Sequence, residues 1–228
     1  MNSEIRHIFF DLDHTLWDFN RNSALAFHEI FKLNELELSL EEFLEVYEPI
    51  NERYWKLYRE DRVSKEELRY SRLRLSFEHL KVKISDRVIK KLAEDYLTYL
   101  PTFNHLFEDA FEILNYLKYK YDLHIITNGF QEVQSAKLRN SGIESYFKII
   151  MSSEFAGVKK PNPYIFKLAM KQAGAVPENS VMIGDNLDAD VHGAISCGMA
   201  AIHYNPGKSE AIHGIKQVFS LSEVKSML

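Results

Sequence analysis

The chain has 228 residues, enough for one medium domain or for a core domain carrying a smaller insertion. With 46% hydrophobic and 27% charged residues, its composition is that of an ordinary globular protein and excludes disorder and low complexity. A net charge of −5 argues against a general nucleic-acid or anionic-membrane surface, and the single cysteine, Cys197, excludes an intrachain disulfide or a cysteine metal cluster.

In chain order, residues 5–10 read as a buried strand, in which Ile8-Phe9-Phe10 runs into Asp11-Leu12-Asp13-His14-Thr15. The strand starts close to Met1 and no apolar run reaches the ~18–20 residues that cross a bilayer. The expectation is a cytoplasmic chain with no signal peptide and no membrane partner. From about Trp17 to Tyr99 strand signals disappear and Pro49 is the only proline. Ser39 with Glu42, and Ser64 with Glu67, have capping-box spacing, and Ser85 or Asp86 caps a further helix. Leu40, Phe43, Leu44, Tyr47, Ile50, Tyr54 and Leu57 recur at helical intervals, with Pro49 expected to kink that helix.

Beyond residue 105, strand and helix signals alternate. A helix at about 107–120 precedes a strand at 122–127, and a helix at about 130–140 ends at Gly142. A strand near 148–151 leads into Lys159-Lys160-Pro161-Asn162-Pro163, followed by a helix at about 163–173 and a strand at 180–183. A helix from about 187 to 197, a strand near 200–204 and a short helix capped by Ser220 and Glu223 complete the pattern. Such alternation predicts an α/β fold: a doubly wound, parallel-sheet, Rossmann-like core formed by residues 1–16 and 100–228, with an all-helical domain, 17–99, inserted after the first strand.

Three of these strands stop abruptly at polar residues: Asp11 and Asp13; Thr127-Asn128-Gly129; and Gly184-Asp185-Asn186, with Asp188 and Asp190 beyond. In open α/β sheets the ligand lies past the carboxyl ends of the strands, so these groups are predicted to converge. Alone, each has a plain structural reading: Asp11 and Asp13 as turn and helix caps, Asn186 or Asp188 as a cap, Asn128-Gly129 as a turn, Lys160 as an exposed loop residue. Together they fit phosphoryl transfer. One carboxylate attacks phosphorus while the other moves a proton. Asp185 adds an oxygen for a hard cation such as Mg²⁺, which offsets the repulsion between carboxylate and phosphate. The Thr127 hydroxyl, the Asn128 amide, the Gly129 N–H and the Lys160 ammonium suit phosphoryl oxygens. The chain has neither GxxxxGK[ST] nor GxGxxG.

Asp11-Leu12-Asp13-x-Thr15, Thr127-Asn128-Gly129, Lys160-Pro161 and Gly184-Asp185-x-x-x-x-Asp190 resemble, in order, the four motifs of the haloacid dehalogenase-like hydrolases. The helical insertion resembles that superfamily's cap domain, which selects substrate. The resemblance implies Asp11 as nucleophile, Asp13 as general acid/base, and Thr127 and Lys160 as holders of the phosphoryl group. It implies Mg²⁺ bound by the Asp11 side chain, the Asp13 carbonyl and Asp185, with Asn186 and Asp190 supporting. Dehalogenase members lack the second acid, so Asp13 points to phosphate esters. His14 stands where many relatives carry Gly or Asp. The segment from Phe9 to Asn20, with Trp17-Asp18-Phe19, is similar to a bacterial subgroup of pyrimidine nucleoside 5′-monophosphatases. The substrate expected is therefore a small phosphorylated metabolite, a nucleoside monophosphate, with no nucleic acid as partner. Trp17 and Phe19 are its candidate stacking residues, although such aromatics, with Tyr47, Tyr54, Trp55 and Tyr58, also pack between helices. A sugar-phosphate or phosphoglycolate phosphatase, a phosphomutase, or a catalytically idle binding module on the same scaffold are the alternatives.

Overall fold

A computed structural model describes residues 4–207 and 212–228; residues 1–3 and 208–211 of the expected core segments lie outside the described residues. The chain divides into two compact units, Met1–Phe19 with Asn104–Leu228, and Asn20–Phe103.

Among the described residues the first unit is built on six strands: β1 (His7–Phe10), β2 (Asp122–Thr127), β3 (Phe147–Ser152), β4 (Ser180–Gly184), β5 (Ala200–Tyr204) and β6 (Lys216–Val218). All pair in parallel, in the order β3-β2-β1-β4-β5-β6. β1 is buried along its whole length because it has a strand on each side and helices over both faces. The chain runs outward from β1 to β2 and β3 and then crosses back to β4 on the other side of β1, so the carboxyl end of β1 is the topological switch point where this fold class places ligands.

In chain order the helices are α1 (Phe19–Leu33), α2 (Leu40–Arg59), α3 (Lys65–His79), α4 (Asp86–Tyr99), α5 (Ala110–Leu117), α6 (Gln131–Asn140), α7 (Ser153–Ala156), α8 (Pro163–Ala173), α9 (Gly193–Ser196) and α10 (Val224–Met227). Side chains alternate across the strands. Phe9 therefore joins Ile126, Met151 and Met182 under Ile165 and Phe166 of α8 and Ala194 of α9 in one buried cluster.

The second unit contains α2, α3 and α4 and nearly all of α1, held by an aromatic core of Phe27, Phe31, Phe43, Tyr47, Phe77 and Tyr96. Ser39, Ser64 and Ser85 each accept a hydrogen bond from the amide three residues on, as their spacing predicted. Pro49 lies within α2 without ending it; it faces solvent, where water can serve the carbonyl that loses its partner. The buried stripe of α2 is Phe43, Tyr47, Asn51 and Tyr58. Asn51 belongs there because its Oδ1 accepts from Arg72 Nη1 at 2.8 Å, and the Arg72 guanidinium lies over the Tyr47 and Tyr96 rings.

Four expectations needed correction. The boundaries expected at residues 17 and 99 fall at Phe19/Asn20 and Phe103/Asn104, because residues 16–18 and 105–107 hold each other by backbone bonds, Asp18 to His105 and Phe107 to Leu16. That pairing also shortens the helix expected from 107 to α5, which begins after Asp109 in a left-handed conformation. The helix expected at 187–197 is a π-helical turn, Leu187–His192, followed by α9. Ser220 makes no capping bond; instead Glu223 accepts from the Phe219 amide. The strand β6 went unpredicted because three residues with one buried apolar side chain carry no periodic signal.

Candidate active site

Asp11 follows the last residue of β1, Thr127 ends β2, Asp185 follows β4, and Lys160 lies in the loop between α7 and α8. The fold brings them together. The Lys160 ammonium, almost wholly buried, sits 2.8 Å from Asp11 Oδ1, 2.7 Å from Asp190 Oδ1 and 2.7 Å from the Ile126 carbonyl oxygen. Three oxygens thus surround an ammonium that has three protons. Burial opposes its charge, yet Asp11 and Asp190 outweigh that and hold its pKa above the usual lysine value.

Asp11, Asp185 and Asp190 each place one carboxylate oxygen within a common 4.8 Å cluster. Burial pushes Asp11 up to about 7, with the charges of Asp190 and Asp13 adding and Lys160 opposing. Burial, then the Asp11 charge, pushes Asp185 to about 7 as well, and burial raises Asp190. One ammonium does not balance three crowded carboxylates. A hard divalent cation with oxygen ligands fits this charge deficit and donor set.

The supports are local. Asp185 N–H donates to Thr15 Oγ1 at 3.1 Å, and Thr15 Oγ1 donates to Asp185 Oδ1 at 3.3 Å. His203 Nε2 donates to the Asp185 carbonyl at 2.8 Å, which fixes the proton on that nitrogen. The π-helical turn carries Asp190 back beneath the strand end, where its Oδ2 accepts from the Asn186 amide at 3.0 Å, while Asn186 Oδ1 caps the Ala189 amide. Gly184 permits this approach: a Cβ there would overlap the Asp190 carboxyl.

Asp13 turns away from the acidic cluster. Its Oδ1 lies 2.6 Å from Lys137 Nζ and its Oδ2 accepts from Gln134 Nε2 at 2.9 Å, both on α6. Gln134 Nε2 also donates to Thr127 Oγ1 at 2.7 Å, and the Gly129 amide donates to that oxygen at 3.1 Å. With two bonds accepted, the Thr127 hydroxyl has its own proton to offer. His14, next to Asp13, has φ 61°. A side chain pays steric strain in that left-handed region, which is where Gly or Asp is most readily accommodated.

Four residues expected at the substrate have partners within the protein. The Asn128 side chain bonds reciprocally to the Lys160 backbone, accepting from its amide at 2.8 Å and donating to its carbonyl at 3.0 Å. These two bonds tie Asn128 to the lysine loop. The Gly129 N–H is likewise committed to Thr127. Trp17 is fully buried and Phe19 nearly so, with the Lys137 ammonium 4.1 Å from the Trp17 ring centroid and 5.2 Å from that of Phe19. Their contact is therefore with Lys137, not an open face for a base.

The sequence marked Thr15 only as a motif member, without a role, and did not single out His203, Gln134 or Lys137. For the last pair a signal existed: Gln134 and Lys137 share the buried stripe of α6 with Val133 and Leu138, and a buried lysine without a site is rare.

Residues 5–198 match the family model of the haloacid dehalogenase-like hydrolases. The chain is 32% identical over 203 residues to the pyrimidine 5′-nucleotidase PynA of Streptococcus pneumoniae, covering 88% of this chain and 84% of that one. It is 31% identical over 224 residues to the pyrimidine 5′-nucleotidase YjjG of Escherichia coli, covering 96% and 95%. Its structure is similar to that of the magnesium-bound putative hydrolase YfnB of Bacillus subtilis, with TM-score 0.89, 26% identity and 99% of each chain covered. With its four motif groups assembled at one switch point and its length matched to these relatives, the chain belongs to the haloacid dehalogenase-like hydrolase family.

Proposed function

We propose that this hydrolase is a Mg²⁺-dependent phosphatase of small monoesters, acting on pyrimidine nucleoside 5′-monophosphates through an aspartyl-phosphate. The observation that carries the reading is the Asp11–Lys160–Asp190 cluster with Asp185 at the switch point, with a second acid, Asp13, held separately.

Asp11 attacks phosphorus: its carboxylate oxygen forms a bond to phosphorus as the ester oxygen departs. Lys160 keeps Asp11 oriented and reduces local negative charge. Thr127 directs its free hydroxyl proton to a phosphoryl oxygen. Asp13 protonates the leaving oxygen, then takes a proton from the water that attacks phosphorus and releases Asp11. When bound, the divalent ion would be held by Asp11, Asp185 and the Asp13 carbonyl, with Asp190 and Asn186 behind them, and would supply the positive charge that lets a carboxylate approach a phosphate dianion.

The pyrimidine nucleotide is favoured by the two curated relatives that align over most of this chain. The inserted helical unit, 20–103, is the segment we assign to substrate selection. A binding module with an idle site would have no need to hold three repelling carboxylates under burial.

The test is a panel of uridine, thymidine and purine monophosphates beside sugar phosphates, phosphoglycolate and an aryl phosphate, with and without Mg²⁺. The reading expects Mg²⁺-dependent phosphate release, greatest in kcat/KM for pyrimidine nucleotides. A preference for sugar phosphates would overturn the substrate, and the absence of any hydrolysis would overturn the phosphatase itself.

A further inference from the structure

We propose that Gln134 and Lys137 are positioning residues that fix the Asp13 carboxyl relative to the Thr127 hydroxyl, so that proton delivery to the leaving group is aligned with the bound phosphoryl group. The inference rests on the phosphatase reading above.

Each carboxylate oxygen of Asp13 has its own donor from α6, Lys137 at 2.6 Å and Gln134 at 2.9 Å. Two donors from one helix stop the carboxyl from rotating about its Cβ–Cγ bond. The orientation of the Gln134 amide is set as well, because Nε2 faces two oxygens, Asp13 Oδ2 and Thr127 Oγ1. Turned over, its own oxygen would meet a carboxylate. Both Nε2 protons are therefore spent on linking the acid to the phosphoryl-binding hydroxyl. Lys137 is held in turn: its side chain is buried on α6 and its ammonium lies against the ring of Trp17, four residues beyond Asp13. This gives Trp17 a role as platform.

A group that acts only by placing a general acid matters in proportion to the leaving group's need for a proton. A nucleoside 5′-oxygen leaves poorly without one; a dinitrophenolate leaves without help. Lys137→Met and Gln134→Leu should lower kcat/KM for uridine 5′-monophosphate, or for the best alkyl ester in the panel, by about 10- to 100-fold. With 2,4-dinitrophenyl phosphate, kcat/KM of Lys137→Met should stay near the wild-type value, since that ratio reports only the steps through phosphoenzyme formation, whereas Gln134→Leu, which also loses its bond to the Thr127 hydroxyl, should lose less on this ester than on the alkyl one. Lys137→Arg, which retains the charge and donors, should recover most of the alkyl-ester activity. Circular-dichroism melts identify any variant that fails to fold, and Gln134→Leu and Lys137→Arg carry the test if Lys137→Met does not. Equal losses on both esters, or no loss on either, would overturn the inference while leaving the phosphatase intact. A wild-type protein that hydrolyses neither ester would overturn both.

Discussion

At Asp11 reactivity and stability pull in opposite directions. Burial holds its carboxyl at about 7 in the folded protein, against 3.8 as the ordinary value. The folded state therefore keeps a proton that the unfolded chain has already released, and this group makes stability fall as pH rises from about 4 through 7. Asp11→Asn removes that conflict. In EDTA near pH 7.5 it should melt a few degrees above the wild type, about 2–4 °C for each kcal/mol in a chain of this size, while phosphatase turnover disappears because an amide cannot attack phosphorus. A melting point below the wild type would show that the Lys160 contact outweighs the burial. Gly184 makes a second residue-scale prediction. Adding a methyl group there displaces Asp190 from beneath Lys160, so Gly184→Ala should cost about 1–3 kcal/mol of overpacking and a larger share of kcat. Denaturant melts beside initial rates separate the two losses.

Among the elements, β1 and β2 carry a pair of buried histidines away from the active site. His7 Nδ1 and His124 Nε2 lie 3.2 Å apart, and His124 stacks on Phe9. Burial, then the His7 charge, pulls His124 down to about 4 from 6.5, and burial lowers His7 also. Here the unfolded chain binds the proton first. The stability that His124 contributes is complete above pH 6.5 and is lost as pH falls toward 4. Its slope opposes that of Asp11, so the comparison must be between proteins: His124→Phe should flatten the acid loss between pH 6.5 and 4 in urea titrations, and an unchanged slope would assign the loss elsewhere. α6 shows a different economy. Val133 and Leu138 pack inward as its periodicity requires, while Gln134 and Lys137 occupy the same stripe to reach Asp13.

For the whole molecule, the acidic cluster lies in the unit formed by Met1–Phe19 and Asn104–Leu228, whereas Asn20–Phe103 is a helical unit with its own aromatic core. A ligand stabilises what it binds. Mg²⁺ should therefore slow amide exchange in the carboxyl-terminal halves of β1, β2 and β4 and leave the interior of α2 and α3 unchanged, a readout that needs no substrate. Exchange slowed equally in α2 and α3 would tie the two units into one cooperative body.

Much of this was legible in one dimension. The runs ending at Asp11, Thr127 and Asp185 marked strands because a parallel strand buried on both faces must be apolar throughout, and the chemistry begins where burial ends. The serine caps of α2, α3 and α4 were legible because a cap is settled within four residues. Parallel pairing and the motif order then located Asp11, the Lys160 ammonium and the acidic cluster. What only the tertiary structure decided is which partner each polar group meets: Asn128 with the Lys160 backbone, Asp13 with α6, Trp17 beneath Lys137, and a π-helical turn under Asp190. Periodicity reports whether a side chain faces the interior. The choice among acceptors a few ångströms apart depends on how separate elements pack, and no local pattern encodes that distance.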